Sequence, residues 1–154
     1  MLTNAALKKD QINELPLMIS CGIIIEKEDK ILLQRRAGEN HWCIPGGIMQ
    51  IGEKYHQAAA RGVLEETDLT VETMQLFGMQ SGRDCFVTNK FGEKAFNLQV
   101  IFHTTEFTGR VKIKDAANRE HRFFKRTNLP KNLNPQQKAF IADWRDEKQI
   151  PIIN

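Results

Sequence analysis

Cysteine is scarce in this 154-residue chain, and Cys21, Cys43 and Cys85 stand far apart with no C-x-x-C pair. An odd, scattered set supports neither a disulfide framework nor a thiolate zinc site, so the three read as reduced packing thiols. Long apolar runs are also missing. The longest, Leu15 to Ile25, is interrupted by Pro16, Ser20 and Gly22 and is shorter than the ~20 residues a membrane-spanning helix requires. Residues 1–14 hold no sustained apolar region of the kind a secretory signal needs, which makes the cytoplasm the expected compartment and argues against a membrane partner. Internal repeats, low-complexity tracts and Gly/Pro-rich linkers are absent as well. The expectation is therefore one domain over residues 1–154, with residues 1–14 forming an N-terminal helix or arm.

Neither sign of charge dominates. The 22 Lys and Arg against 19 Asp and Glu leave +3, too mild an excess to imply a nucleic-acid partner. The 41% hydrophobic and 27% charged content is that of an ordinary globular protein. A chain this long buries roughly two thirds of its surface and needs no staples. The charge is nonetheless uneven: Thr108 to Lys131 carries eight basic residues against Asp115 and Glu120. The alternation of Lys112 and Lys114 with Val111 and Ile113 reads as the solvated face of an edge strand.

Apolar periodicity predicts a hairpin from Leu17–Glu26 through the KEDK turn into Ile31–Gln34, and a helix over Asn4 to Asn13 before it. Further strands are predicted at Val71–Gln80, Asp84–Val87, Ala95–Thr104, Arg110–Ile113 and His121–Phe124. Two principal helices are predicted, over Glu53–Thr67 and Pro135–Lys148, the second capped by Asn134 with Pro135 at its first position. Mixed strands with two helices indicate a layered α/β class.

The chemically informative segment is Gly47 to Leu69, GIMQIGEKYHQAAARGVLEETDL. At roughly 100° per residue, Glu65 and Glu66 share one flank of the helix, while His56, Ala59, Ala60, Val63 and Leu64 form an apolar stripe for a sheet. Adjacent glutamates repel each other, and a divalent cation that accepts hard carboxylate oxygens relieves the repulsion. Arg61, one turn before Glu65 and about two turns after Glu53, can tie these carboxylates together. The Pro45-Gly46-Gly47 break permits close backbone approach and can offer a carbonyl to the same cation.

The complete spacing of Gly47, Glu53, Arg61, Val63, Glu65, Glu66 and Leu69 resembles the signature box of the Nudix hydrolase family, G-x5-E-x7-R-E-U-x-E-E-x-G-U with U apolar. Leu32 to Arg36 and Trp42 to Gly47 also look like what precedes the box in bacterial members. The resemblance implies an α/β/α sandwich around a mixed β-sheet and a Mg²⁺- or Mn²⁺-dependent pyrophosphohydrolase. Its substrate would be a nucleoside diphosphate linked to another moiety, such as a nucleotide, an ADP-ribose-like group or a sugar nucleotide. By the same resemblance, Glu53, Glu65, Glu66 and the Gly47 carbonyl are the metal-binding positions. Arg61 and Glu65 are the catalytic ones. Arg35, just past the second strand, is the expected phosphate grip, with Arg36 pointing the opposite way, and Phe91 is the expected stacking partner for a base. The marks of particular substrate classes are missing: no Pro stands about fifteen residues beyond the box, and Phe86 occupies roughly the place of a Tyr seen in dinucleoside-polyphosphate hydrolases.

The chain departs from the pattern at two places. Gly62 stands where the family has Glu, removing a carboxylate that serves many members as ligand or general base, and Gly costs a helix about 1 kcal/mol relative to Ala. Asp68 replaces the Gly that follows, at a position where left-handed backbone is expected and Asp is tolerated. Glu120, His121 and Glu93 are the remaining candidates for a base or auxiliary ligand. The expected protein is an impaired hydrolase, in which Gly62→Glu raises turnover at least about tenfold. The alternatives are a weak or inactive nucleotide-binding sensor and, behind it, an RNA-associated interaction domain; the oligomeric state stays open between monomer and homodimer.

Overall fold

The computed structural model describes residues 14–89 and 91–154, so the helix expected at Asn4 to Asn13 lies outside the described residues. The chain opens with a hairpin of β1 (Leu17–Lys27) and β2 (Lys30–Arg35). Glu28 and Asp29 turn it with φ of 51° and 63°, the paired left-handed conformation that matches the twist of the flanking strands. Next come β3 (Gly46–Ile48), α1 (Tyr55–Thr67), β4 (Gln75–Gln80), β5 (Phe86–Thr88) and β6 (Lys94–Thr104). The chain closes with β7 (Glu120–Lys125), α2 (Lys138–Arg145) and β8 (Ile152–Ile153).

The strands form one mixed sheet in the order β7-β2-β1-β6-β4-β8, with β3 on β1 and β5 on β6. Parallel pairing of β1 with β6, from Leu17↔Phe96 to Ile25↔Thr104, makes the centre. Side-chain alternation then fills two cores. Cys21, Ile23, Ile25, Leu32 and Val100 face Ala58, Ala59 and Val63 of α1, whereas Ile24, Ile31, Leu33 and Ile101 face Phe140, Ile141 and Trp144 of α2. Each fully buried Ile or Leu contributes about 1.5–3 kcal/mol. The result is the expected α/β/α sandwich. All three cysteines are free and buried within it, and burial pushes the Cys21 and Cys43 thiols up to about 11. No helix among the described residues is long and apolar enough to cross a membrane.

Several boundaries differ from the sequence expectations. Helix α1 begins at Tyr55, two residues late, because the Lys54 amide donates to the Gln57 side chain and makes Lys54 the cap. Its buried face comprises Ala58, Ala59, Gly62, Val63, Glu66 and Thr67, while His56 and Leu64 of the expected stripe face outward. Helix α2 begins at Lys138 rather than Pro135. Asn134 organises the turn before it, its side chain accepting from the Gln136 amide and its carbonyl from the Gln137 and Lys138 amides. Arg110–Ile113 is not a strand. It runs beside β7 with the His121 amide donating to the Ile113 carbonyl, and pairing is limited to a Lys114–Glu120 bridge. A 3-10 turn, Arg83–Cys85, takes the first half of the expected Asp84–Val87 strand.

Candidate active site

The box is built around a close meeting of three backbones. A Cβ on Gly46 would stand 2.2 Å from the Cys21 carbonyl oxygen and 2.6 Å from Gly22 Cα, so β3 lies directly on β1. On the other side, a Cβ on Gly62 would stand 2.2 Å from the Gly47 nitrogen, 2.3 Å from the Gly46 carbonyl carbon and 2.6 Å from its oxygen. Helix α1 therefore rests on β3 at Gly62 with no space for any side chain. This overturns the expectation that Gly62→Glu simply restores an acid: the missing carboxylate and the close contact are the same feature. It also explains why the buried face of α1 turns toward Gly62 and Glu66. At the far end Asp68 adopts φ 63°, ψ 11°, the left-handed position expected of it, and its amide donates to the Leu64 carbonyl.

Arg61 gathers the expected residues. Its Nε donates to Glu53 Oε2 at 2.7 Å, its Nη2 to Glu53 Oε1 at 3.0 Å and to the Ile48 carbonyl at 2.8 Å, and its Nη1 to Glu65 Oε2 at 3.2 Å. The guanidinium thus pins the loop before α1 to the helix. Bonds from Arg61, and from the Gln50 amide at 2.7 Å, hold the Glu53 carboxyl below the usual glutamate range. Glu65 and Glu66 differ sharply: the Glu65 side chain is 61% exposed and the Glu66 side chain 10%. Glu66 Oε1 accepts the Gly46 amide at 3.0 Å and its Oε2 accepts Arg36 Nη2 at 2.9 Å.

A cleft of about 120 Å³ has Arg36, Gly46, Gly47, Ile48, Asn97, Gln99 and Gln136 in its lining, and Arg36 and Gly46 are the residues that bond Glu66. The arginine lining it is Arg36, the first residue beyond β2. Arg35 instead donates to Glu120 Oε1 at 2.7 Å and lies 4.9 Å from the Trp42 ring centroid. That bond holds Glu120 below the usual range and pairs the candidate base with Arg35, while the adjacent Arg119 reaches the Glu65 carbonyl at 3.3 Å. His121 is buried in β7, its Nδ1–H donating to the Lys112 carbonyl at 2.9 Å. Phe91 is exposed at the β5–β6 turn, and Glu93 accepts there from Asn89; neither lines the cleft. Asn97, Gln99 and Gln136 were not singled out by sequence reasoning. Asn97 and Gln99 did carry a signal, as polar residues at alternate positions of β6 on the same face as the apolar Ile101; Gln136, in the turn before α2, carried none.

A divalent cation needs several hard oxygens free to converge on it. Both oxygens of Glu66 and both of Glu53 are engaged within the protein, and Gly62 brings none. Among the described residues no three His, Cys, Asp or Glu side chains converge as a metal site. Of the expected carboxylates, Glu65 alone faces solvent, its two oxygens 3.4 and 3.2 Å from Arg61 Nη1. In this arrangement Glu65 is the box carboxylate most open to a cation, and Glu53 and Glu66 would reach one only by sharing or leaving their present partners. What the site does present is a guanidinium and a glycine backbone facing a cleft, a combination suited to phosphate oxygens.

The chain matches the family model of the NUDIX domain over residues 16–144. It is 32% identical over 141 residues to an ADP-ribose pyrophosphatase of Methanocaldococcus jannaschii, an alignment covering 90% of this chain and 78% of the relative. The fold is similar to that of a MutT protein from Methanosarcina mazei, with a TM-score of 0.68 and 22% identity over 88% of this chain and 99% of that one. A MutT NUDIX hydrolase from Burkholderia pseudomallei gives a TM-score of 0.64 and 22% identity over 82% and 96%. The box that Arg61 ties together, the sandwich that carries it and these likenesses lead to one conclusion: the chain belongs to the Nudix hydrolase family.

Proposed function

We propose that this protein is a pyrophosphohydrolase of a nucleoside diphosphate linked to another moiety, with turnover impaired by the seating of Gly62 on Gly46 and Gly47. That contact carries the reading, because it removes one box carboxylate and leaves no room to restore it. The likeness to the ADP-ribose pyrophosphatase of M. jannaschii makes ADP-ribose the first compound to test. Arg36 is the phosphate grip in place of Arg35, since it lines the cleft and its side chain is 45% exposed. A pyrophosphate that takes the Arg36 fork releases Glu66 from it, and Arg61 keeps the Ile48 carbonyl and Glu65 in register meanwhile. Family members generally use divalent cations, and a Mg²⁺ or Mn²⁺ requirement here rests on the opening of that Arg36–Glu66 pair.

A second reading, a nucleotide-binding sensor without turnover, is favoured by the closure of Glu66 on both of its oxygens. A panel of ADP-ribose, nucleoside triphosphates and sugar nucleotides, assayed with each metal for release of phosphate or monophosphate, separates the two. Slow metal-dependent release supports the hydrolase. Binding without release from any compound supports the sensor, and absence of both overturns the proposal.

A further inference from the structure

Between β7 and α2 the chain runs through a loop, residues 126–137, and part of this loop faces α2 across a cavity of about 310 Å³. The cavity shares no lining residue with the cleft beside Arg36. Small-molecule sites begin at about 300 Å³, are mostly apolar and carry a few placed charges. Helix α2 turns Phe140, Ile141 and Trp144 into the core. Lys138, Ala142 and Arg145, at i, i+4 and i+7, then share a second face, and this face lines the cavity. Between the two long cationic side chains Ala142 supplies only a methyl.

The opposite wall is Leu129, Pro130 and Leu133, each half-buried. Leu129 and Leu133 also pack against the core below. The loop is fixed on both sides of Leu129 and Pro130: the Asn128 amide donates to the Lys125 carbonyl at 2.9 Å, and the Trp42 amide donates to the Asn132 carbonyl at 2.8 Å. The apolar walls are therefore in place without a ligand.

Charge at the cavity is of one sign. Among the described residues no aspartate or glutamate lines it, whereas two arginines and two lysines do. The arginines are engaged: Arg126 donates to Asp29 at 2.8 Å and stacks 4.0 Å from the Trp144 ring centroid, and Arg145 donates to Asp146 at 2.9 Å. The ammonium groups of Lys131 and Lys138 have no hydrogen bond or ion pair among the described residues. Lys131 closes the basic stretch from Thr108 that the box leaves unused. Two unpaired cations beside an apolar hollow favour an anion whose body gains by leaving water.

We propose that this cavity is a second binding site, separate from the cleft, for a small carboxylate with an apolar body. The body lies on Leu129, Leu133 and Ala142, and the two carboxylate oxygens meet Lys131 and Lys138. A phosphate is the poorer match, because the guanidinium forks that clasp its oxygens best are held by Asp29 and Asp146. The site goes beyond the pyrophosphohydrolase reading and stands whether or not the chain hydrolyses a nucleotide.

The test uses the whole chain with octanoate, with 1-octanol as the body lacking the charge and with acetate as the charge lacking the body. In ¹⁵N-resolved spectra octanoate is expected to shift the backbone amides of Leu129, Lys131, Leu133 and Ala142 saturably, with those of Gly46 and Gly47 in the cleft unmoved. Without the charge, 1-octanol binds at least about fivefold more weakly. Acetate, without the apolar body, binds at least about tenfold more weakly. Lys131→Gln and Lys138→Gln, at exposed positions, each weaken octanoate about threefold, and together about tenfold. Absence of a saturable shift at the loop and α2, 1-octanol binding as tightly as octanoate, or a double variant that binds octanoate as before overturns the proposal. If the double variant does not fold, the three probes on the unaltered protein decide.

Discussion

Replacing Gly62 by alanine is the smallest perturbation that questions the contact between α1 and β3. On helix propensity alone the change stabilises by about 1 kcal/mol. Opposed to it is overpacking, which typically costs 1–3 kcal/mol and occasionally more. Here the new methyl meets a backbone nitrogen at 2.2 Å and a carbonyl carbon at 2.3 Å, and neither can rotate aside as a side chain could. The upper part of the overpacking range therefore applies, and the net expectation is a loss of about 1–2 kcal/mol. For a domain of this size that lowers Tm by about 2–8 °C. Thermal unfolding followed by circular dichroism, with urea titration as a check, measures it. A Gly62→Ala protein with a Tm above that of the unaltered chain refutes the close contact. Gly62→Glu, which adds a charge to the same overlap, is expected to be less stable still and to gain no turnover.

Three further outcomes follow from the same geometry. Glu66→Gln keeps an acceptor for the Gly46 amide but loses the charge facing Arg36; hydrogen bonds to charged groups are worth about 1.5–3 kcal/mol, so a loss of about 1–2 kcal/mol is expected by urea titration. Arg36→Gln releases one oxygen of Glu66 and is expected to tighten Mn²⁺ binding, read as free ion by electron paramagnetic resonance, on the order of tenfold, the effect of removing about 1.4 kcal/mol of competition. Glu53 has a folded pKa below its unfolded value because of Arg61 and the Gln50 amide, so its stabilisation is present above about pH 4.3 and is lost as pH falls through the folded value. Glu53→Gln is accordingly less stable than the unaltered protein at pH 7, and the gap closes in acid; a gap independent of pH contradicts the pairing.

Much of the site was legible because the box is a spacing, and spacing survives folding. Arg61 reaches Glu53 and Glu65 as its separation of eight and four residues allows, and Asp68 takes the left-handed position that its place at the box's last Gly predicts. What was not legible depended on contacts between distant segments. Gly62 read as a lost acid, since nothing in a linear pattern shows that the Gly46–Gly47 backbone lies against it. Glu66 belonged on a polar flank by periodicity, yet its engagement by Gly46 and Arg36, 20 and 30 residues away, draws it inside. Arg35 and Arg36 were separable only by knowing that β2 ends at Arg35 and pairs it with Glu120. The alternation in Arg110–Ile113 imitated a strand because one side of that loop packs Val111 toward the core, although its backbone bonds to β7 only locally.

We propose that the chain binds a nucleoside diphosphate derivative at its Nudix fold and that the contact at Gly62 slows the chemistry. Single-turnover hydrolysis of ADP-ribose, with enzyme in excess and Mg²⁺ or Mn²⁺ saturating, tests it most directly, because binding and chemistry separate in one experiment. Enzymes commonly turn over at about 10 s⁻¹, and an absent general base typically costs 10²–10⁴-fold, so the account predicts a saturating rate constant of about 10⁻¹ to 10⁻³ s⁻¹. Saturation with a rate constant near 10 s⁻¹ contradicts the impairment, and a rate that never saturates with enzyme concentration contradicts the binding.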